Sequence, residues 1–293
     1  MVLQFVLLQR STIQLLRFPF SYFLMPVYWF ALSFVPHINW GRAALIFFLI
    51  HFLLYPSSNG YNSFMDRDEE SIGGLANPMQ PTKQLFWTTV VMDLISAVIS
   101  VFISPIFAIC FVVYIVFSRL YSYRGIRLKR FAVLGYLTVV LNQGSLVFFM
   151  VHSGSNMESN TGIPWQGLVA AAFLIGGFYP ITQVYQHKAD AKDGVETISM
   201  RLGKRGTFIF CGIMYVIAFA VLFLYFDQQH LMVRFLVLQI FFLPVVVAFL
   251  RWTIQVWKDG TAADFKHTMQ MNWLASTCTS LAFITLLIMN HFG

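Results

Sequence analysis

The sequence predicts an all-α polytopic membrane protein of nine transmembrane helices, and three observations carry that prediction. Of the 293 residues, 58% are hydrophobic and only 11% are charged, against about 45–50% and about 25% in an ordinary soluble domain. Apolar stretches near the roughly 20 residues needed to cross a bilayer recur along the whole chain. The lysines and arginines gather in alternate connections, as the positive-inside rule requires. This composition excludes a water-soluble enzyme, a disordered chain and a disulfide scaffold. Cys110, Cys211 and Cys278 each stand alone inside an apolar run and read as small packing residues. The net charge of +7 reports loop orientation, and no nucleic-acid partner is expected.

The nine spans fall at about 15–36, 42–57, 84–103, 105–121, 131–151, 163–185, 207–226, 231–250 and 269–290. The first lacks a cleavage site of small residues, so no removable signal peptide is expected. The second is short and should run on into the polar segment behind it. Ser104-Pro105 separates the third from the fourth and predicts a tight hairpin there. With the N-terminus inside and the C-terminus outside, seventeen of the nineteen basic residues fall on the inner side. Only Arg42 and Arg234 lie outside, and the connections 151–164 and 227–230 contain neither Lys nor Arg. The inner loops 58–83, 119–130, 187–206 and 251–267 are the long polar ones. Function is therefore expected at the inner face of a single domain, 1–293, and the expected location is the cell inner (plasma) membrane.

Seven of the twelve carboxylates occupy two short windows, Asp66, Asp68, Glu69 and Glu70, then Asp190, Asp193 and Glu196. Asn62, Asp66 and Glu70 follow one another at steps of four and would share a face if the second helix continues. Asp190 follows Gln186 by the same step. Carboxylates on two helices facing one cavity make an all-oxygen site, which suits Mg2+. An Asp at mid-membrane otherwise costs about 2.5–3.5 kcal/mol, and a bound divalent cation offsets that cost. Solvated loop charge is the alternative reading. It is weakened because two windows match in spacing at like-sided helix ends. The third inner loop puts four cations into ten residues, Tyr121 to Arg130. Arg127 and Lys129 could clamp a diphosphate by charge-assisted hydrogen bonds, and the loop is topogenic as well.

At these residues the chain resembles the UbiA superfamily of intramembrane prenyltransferases. That family has nine helices around a central cavity, an Asn-x-x-x-Asp-x-x-x-Asp motif after helix 2 and an Asp-x-x-x-Asp motif after helix 6. Asn62, Asp66 and Glu70 match the first with one conservative change. Asp190 matches the second, followed by Gly194, Thr197 and the Arg201-Leu-Gly203 ending. The segment from Tyr121 to Lys129 resembles the family's Tyr-Ser-x-Pro-Pro-x-Arg-Leu-Lys, with Arg124-Gly125 in place of Pro-Pro. Two departures stand out. Gln186 occupies the place of the second motif's first acid, and residues 71–78 lack the basic residue that often follows motif one.

The resemblance implies a cavity open to the inner face and to lipid. It implies Mg2+-dependent transfer of a polyprenyl group from its diphosphate to a membrane-soluble aromatic or lipid acceptor. Asn62, Asp66, Glu70 and Asp190 would hold the metal, with Asp66 and Asp190 essential to catalysis. Arg67, Arg127, Lys129, Lys188 and Lys192 would neutralise the diphosphate. Gln186, Asp193 and Tyr121 are further candidates, Asp193 as a substitute for the missing acid. A terpene cyclase of the same family, or a non-enzymatic carrier of lipid diphosphates, are the competing expectations. Asp93, inside the third span, reads as a helix-to-helix hydrogen bond or a cavity-lining group. His51, Asn142, Gln143 and Asn272 read as bonds across helices, and His187 as an interfacial residue.

Overall fold

The computed structural model describes residues 7–158, 162 and 164–292. The first six residues, on which the signal-peptide reading partly rests, and part of the 151–164 connection lie outside the described residues. Nine long helical segments follow one another among the described residues: α1 Arg10–Ser33, α2 Trp40–Asp66, α3 Lys83–Ser100, α4 Pro105–Ser122, α5 Ala132–Ser155, α6 Trp165–Ile181, α7 Ile198–Gln228, α8 Met232–Lys258 and α9 Phe265–His291. Seven of these are long and apolar enough to cross a membrane. The other two are α6, which has 17 residues, and α3, which opens on Lys83-Gln84 and carries Asp93 mid-helix.

Local chemistry explains the breaks. Ser104 accepts the amide of Phe107 at 3.1 Å and Pro105 takes the first helical position, so the α3–α4 hairpin forms where it is expected. Asn39, Thr197 and Asp264 cap α2, α7 and α9 in the same way. The first span starts five residues earlier than expected and is interrupted at Arg17, whose backbone is left-handed with φ 49°. The second span runs on through Asn62 to Asp66 and contains a π-helical stretch, Leu49–Leu54. Residues 251–258, expected in a loop, are the last turns of α8, because Trp252 and Val256 are buried there.

Two kinds of surface result. Along α8, Val233, Leu236, Ile240, Leu243 and Leu250 are exposed, a continuous apolar face of the sort that hydrocarbon covers. Inside, Phe30, Phe107, Phe148 and Phe283 are fully buried, and Phe30 stacks on Phe283 with centroids 4.5 Å apart. Where α5 crosses α6, a Cβ on Gly144 would stand 2.8 Å from the Ala171 carbonyl oxygen. Only glycine lets these two backbones touch. A row of small polar residues fastens α2 to α4: Ser58 and Ser118 share a hydrogen bond of 2.6 Å, and Asn62 donates to Ser122 at 2.9 Å. That row holds the acid-bearing end of α2 in place.

Candidate active site

Helix α2 stops at Asp66 because Arg67 turns left-handed, φ 55°, while its amide closes the last turn on Ser63 at 3.1 Å. Asn62 and Asp66 therefore share a face as expected, but Glu70 does not join them. Glu70 is exposed and lines no part of the cavity. Asp68 lies there instead, carried in by the non-helical chain that follows Arg67. A short bridge, Ile72 to Leu75, folds that chain back over the helix ends.

The second window keeps its predicted step. Gln186 directly precedes the short helix His187–Lys192, and the Asp190 amide bonds the Gln186 carbonyl at 2.9 Å. Both side chains face one cavity of about 190 Å3 together with Asn62, Asp66, Asp68, Lys129 and Tyr121. Gln186 donates to the Ser71 carbonyl at 3.4 Å, tying the two acidic windows together. Tyr121 shares a hydrogen bond with Tyr179 of α6.

The basic loop closes over the acids. Lys129 pairs with one oxygen of Asp66, whose side chain is only 4% exposed, and Arg127 lies 3.4 Å from the other. Arg127 also pairs with the Asp193 carboxylate and donates to its carbonyl at 3.0 Å. Arg124 donates to the Met65 carbonyl at 2.7 Å. Of the five cations expected at a diphosphate, Lys129 alone lines the cavity. Arg127 stands behind it as a brace between Asp66 and Asp193, and Arg67, Lys188 and Lys192 are exposed away from it.

Burial and the neighbouring carboxylates of Asp68, Asp66 and Asp193 raise the pKa of Asp190 to about 7, although Lys129 opposes them. Burial, then Asp66, pushes Asp68 upward as well. Asp193 moves the other way: partial burial disfavours its charge, but the hydrogen bond and charge of Arg127 outweigh that. The cavity thus crowds Asp66, Asp68 and Asp190 together, with Lys129 and Arg17 as the cations on its wall. Among the described residues, no three His, Cys, Asp or Glu side chains converge closely enough to hold a metal by themselves. Oxygen donors set apart on separate elements suit Mg2+, which retains water and phosphate oxygens in its shell.

A second cavity, about 250 Å3 and almost wholly apolar, lies between α1, α6, α7, α8 and α9. Phe178 of α6 lines both cavities. Sequence reasoning missed Phe178, Asp68 and Arg17. Arg17 counts there as a topogenic charge, yet it is 7% exposed and faces the acid-lined cavity. The one local signal for it is its place between two apolar runs, directly before Phe18-Pro19.

Other singled-out residues sort clearly. Asn142 and Gln143 line the acid-lined cavity. His187 bonds Ser199 at 2.8 Å and lines no part of it. Asn272 is buried without forming the expected bond across helices, and His51 is buried among the rings of Tyr28, Phe47 and Tyr55.

The model of the UbiA prenyltransferase family matches residues 23–289, and the chain belongs to that family. It is an integral, multi-pass membrane protein. A UbiA homolog from Archaeoglobus fulgidus bound to DMAPP and Mg2+ is 19% identical, with a TM-score of 0.70 over 94% of this chain and 99% of that one. The apo UbiA homolog from Aeropyrum pernix K1 is 16% identical, TM-score 0.67, over 90% and 97%. A digeranylgeranylglyceryl phosphate synthase is 17% identical, TM-score 0.62, over 96% and 98%. At these identities the likeness is one of fold. No curated protein sequence matches the chain significantly.

Proposed function

We propose that this member of the UbiA prenyltransferase family transfers a polyprenyl group from a polyprenyl diphosphate to an aromatic or lipid acceptor inside the membrane, with Mg2+ as cofactor. One observation carries the reading. A cavity lined by Asn62, Asp66, Asp68, Asp190 and Lys129 adjoins an apolar cavity across a single side chain, Phe178. A diphosphate head and a hydrocarbon tail need that pair of environments side by side. The solved relatives bound to DMAPP and Mg2+ or to GPP and Mg2+ support the same reading.

Asn62, Asp66, Asp68 and Asp190 would hold Mg2+, with Asp68 in the place expected of Glu70. Bound there, the metal would withdraw charge from the diphosphate as it leaves. Lys129 meets the departing oxygens, and Arg127 positions Asp66 and Asp193. The C1–oxygen bond of the allylic diphosphate breaks and its electron pair leaves with the diphosphate. The resulting allylic cation is captured by an acceptor carbon or hydroxyl, whose proton passes to the diphosphate. Preset charges aimed at the leaving group are how such a site lowers the barrier. Phe178 and the rings of the apolar cavity steady the cation and exclude water.

All nine segments cross the bilayer in this reading, α3 and α6 included, since each lies in chain order between apolar helices. The N-terminus is inside, the C-terminus outside, and the acid-lined cavity opens to the inner face. The charge asymmetry of the connections supports that orientation.

The test is pyrophosphate release from geranylgeranyl diphosphate by purified protein in detergent, with lipid extract as acceptor, with and without Mg2+. Release that needs Mg2+ and vanishes in an Asp66→Ala, Asp190→Ala double variant is the expected result. Product mass then separates transfer from cyclisation. Diphosphate binding without release at any chain length would replace this reading with a carrier function.

A further inference from the structure

An open groove of about 510 Å3 runs between α8 and α9. It shares no lining residue with the acid-lined cavity and only Met271 with the apolar one. Pro244, Val247, Arg251 and Gln255 line it from α8, and His267, Gln270 and Leu274 from α9. Steps of three and four put each set on one face of its helix. The two helices are neighbours joined by the short connection 259–264, so the two faces run in opposite directions along one groove. Toward that connection the lining is polar: Arg251, Gln255, His267 and Gln270. Away from it Pro244, Val247 and Leu274 make it apolar. From Gln255 to Pro244 the helix rises about 16 Å, close to half of a hydrocarbon core about 30 Å thick. A polar head above an apolar slot one leaflet deep is the shape of a phospholipid.

Arg251 decides the headgroup. Its neighbours Leu250 and Ile254 are exposed on the surface that hydrocarbon covers, where an arginine needs a counter-charge. The chain supplies none, because among the described residues the Arg251 guanidinium forms no ion pair or hydrogen bond. The charges nearby are committed elsewhere. Asp264 holds His267 Nδ1 at 2.9 Å, and Asp259 accepts from the Thr261 hydroxyl at 2.7 Å. Lys204 of α7 donates to the Gly260 carbonyl at 2.8 Å, and Arg205 to the Trp257 carbonyl at 2.7 Å. These bonds fix the connection against α7. The His267 ring is fixed as well, stacked on Trp252, whose indole N–H donates to the Ala262 carbonyl at 2.8 Å. His267 Nε2 is then the ring nitrogen left for a ligand.

We propose that this groove binds one anionic phospholipid. Its phosphodiester rests on Arg251 among Gln255, Gln270 and His267 Nε2, and an acyl chain lies along Val247, Pro244 and Leu274. A guanidinium takes a phosphate through paired, charge-assisted hydrogen bonds. A zwitterionic headgroup carries its own ammonium, which competes for that phosphate. The lipid braces the α8–α9 pair and backs Met271, which also lines the apolar cavity. The site does not depend on the transfer reaction proposed above.

Native mass spectrometry and melting of the purified full chain test it, in detergent micelles doped with phosphatidylglycerol or with phosphatidylcholine. Phosphatidylglycerol is expected to bind about tenfold or more tightly, and Arg251→Gln to abolish that preference. Only the tighter lipid should raise the melting temperature appreciably. Val247→Trp, which fills the apolar end and leaves Arg251 in place, should weaken phosphatidylglycerol by about threefold to tenfold. Lys258 and Lys266 are exposed near the same connection and line no part of the groove. The double variant Lys258→Gln, Lys266→Gln should therefore keep the preference. Equal binding of the two lipids by the unaltered protein would overturn the site. So would a loss of preference in the double lysine variant as complete as in Arg251→Gln, since that is attraction to a charged surface alone. Inorganic phosphate that raised the melting temperature as much as phosphatidylglycerol would overturn it too, by making Arg251 a site for the free anion.

Discussion

Asp93 of α3 and Arg119 of α4 form an ion pair inside the helix bundle, with side chains 14% and 20% exposed. Arg119 Nε donates to Asp93 at 2.9 Å, Nη1 to Thr89 at 3.1 Å and Nη2 to Ser57 of α2 at 3.3 Å. Its guanidinium lies 4.0 Å from the ring centre of Tyr61. The pair thus joins three helices just beneath Asn62 and Asp66, and Asp93 is a helix-to-helix contact that lines no part of the cavity. Removing one partner leaves the other charge stranded. Asp93→Asn is therefore expected to cost about 3 kcal/mol of stability, and Asp93→Asn with Arg119→Gln to cost less than the single change. Melting of the purified variants in detergent checks this. A double variant weaker than both singles would refute the pairing.

The left-handed turn at Arg67 keeps Glu70 out of the acid-lined cavity, whose wall includes Asp68 instead. Asp68→Asn should lower Mg2+-dependent pyrophosphate release by about 100-fold, the scale for losing one group aimed at developing charge. Glu70→Gln should leave the rate within about threefold, as expected of an exposed residue away from the reacting atoms. Steady-state rates at saturating Mg2+ distinguish the two. The opposite ranking would restore the regular helical spacing in solution.

Phe178 stands between the polar and apolar cavities, so its size should select chain length. Phe178→Trp is expected to lower kcat/KM for geranylgeranyl diphosphate about tenfold relative to dimethylallyl diphosphate. Phe178→Ala should not. An unchanged ratio in the tryptophan variant would place the tail elsewhere.

Asp193 holds the basic loop to the short helix His187–Lys192 through Arg127 and Arg124. Its pKa is held below the ordinary 3.8, the Arg127 hydrogen bond and charge overcoming the effect of partial burial. A carboxylate with a depressed pKa contributes stability in full above its unfolded value and loses it as pH falls through the folded one. Between about pH 5 and pH 2 the melting temperature should drop more steeply for the unaltered protein than for Asp193→Asn. Parallel curves would mean that the contact contributes nothing to stability.

Much of this protein is legible in one dimension. Hydropathy marks the long apolar helices and the polar connections between them. The Ser104-Pro105 hairpin follows from local chemistry, as does the step of four that pairs Asn62 with Asp66 and Gln186 with Asp190. Each of these depends on residues within a turn or two of one another, where helical periodicity dictates direction. Only the tertiary structure decided that Asp68 and not Glu70 lines the acid-lined cavity, because a residue turning left-handed ends the periodicity without changing the pattern. It also decided that Arg127 braces Asp66 and Asp193, that Phe178 divides two cavities, and that Arg17 faces the site. Those outcomes depend on which helices meet, and Arg17 lies 56 positions from the Gly73 carbonyl it holds. An arginine in a loop and an arginine on a cavity wall look alike in sequence, and the difference between them is the company each keeps when the chain folds.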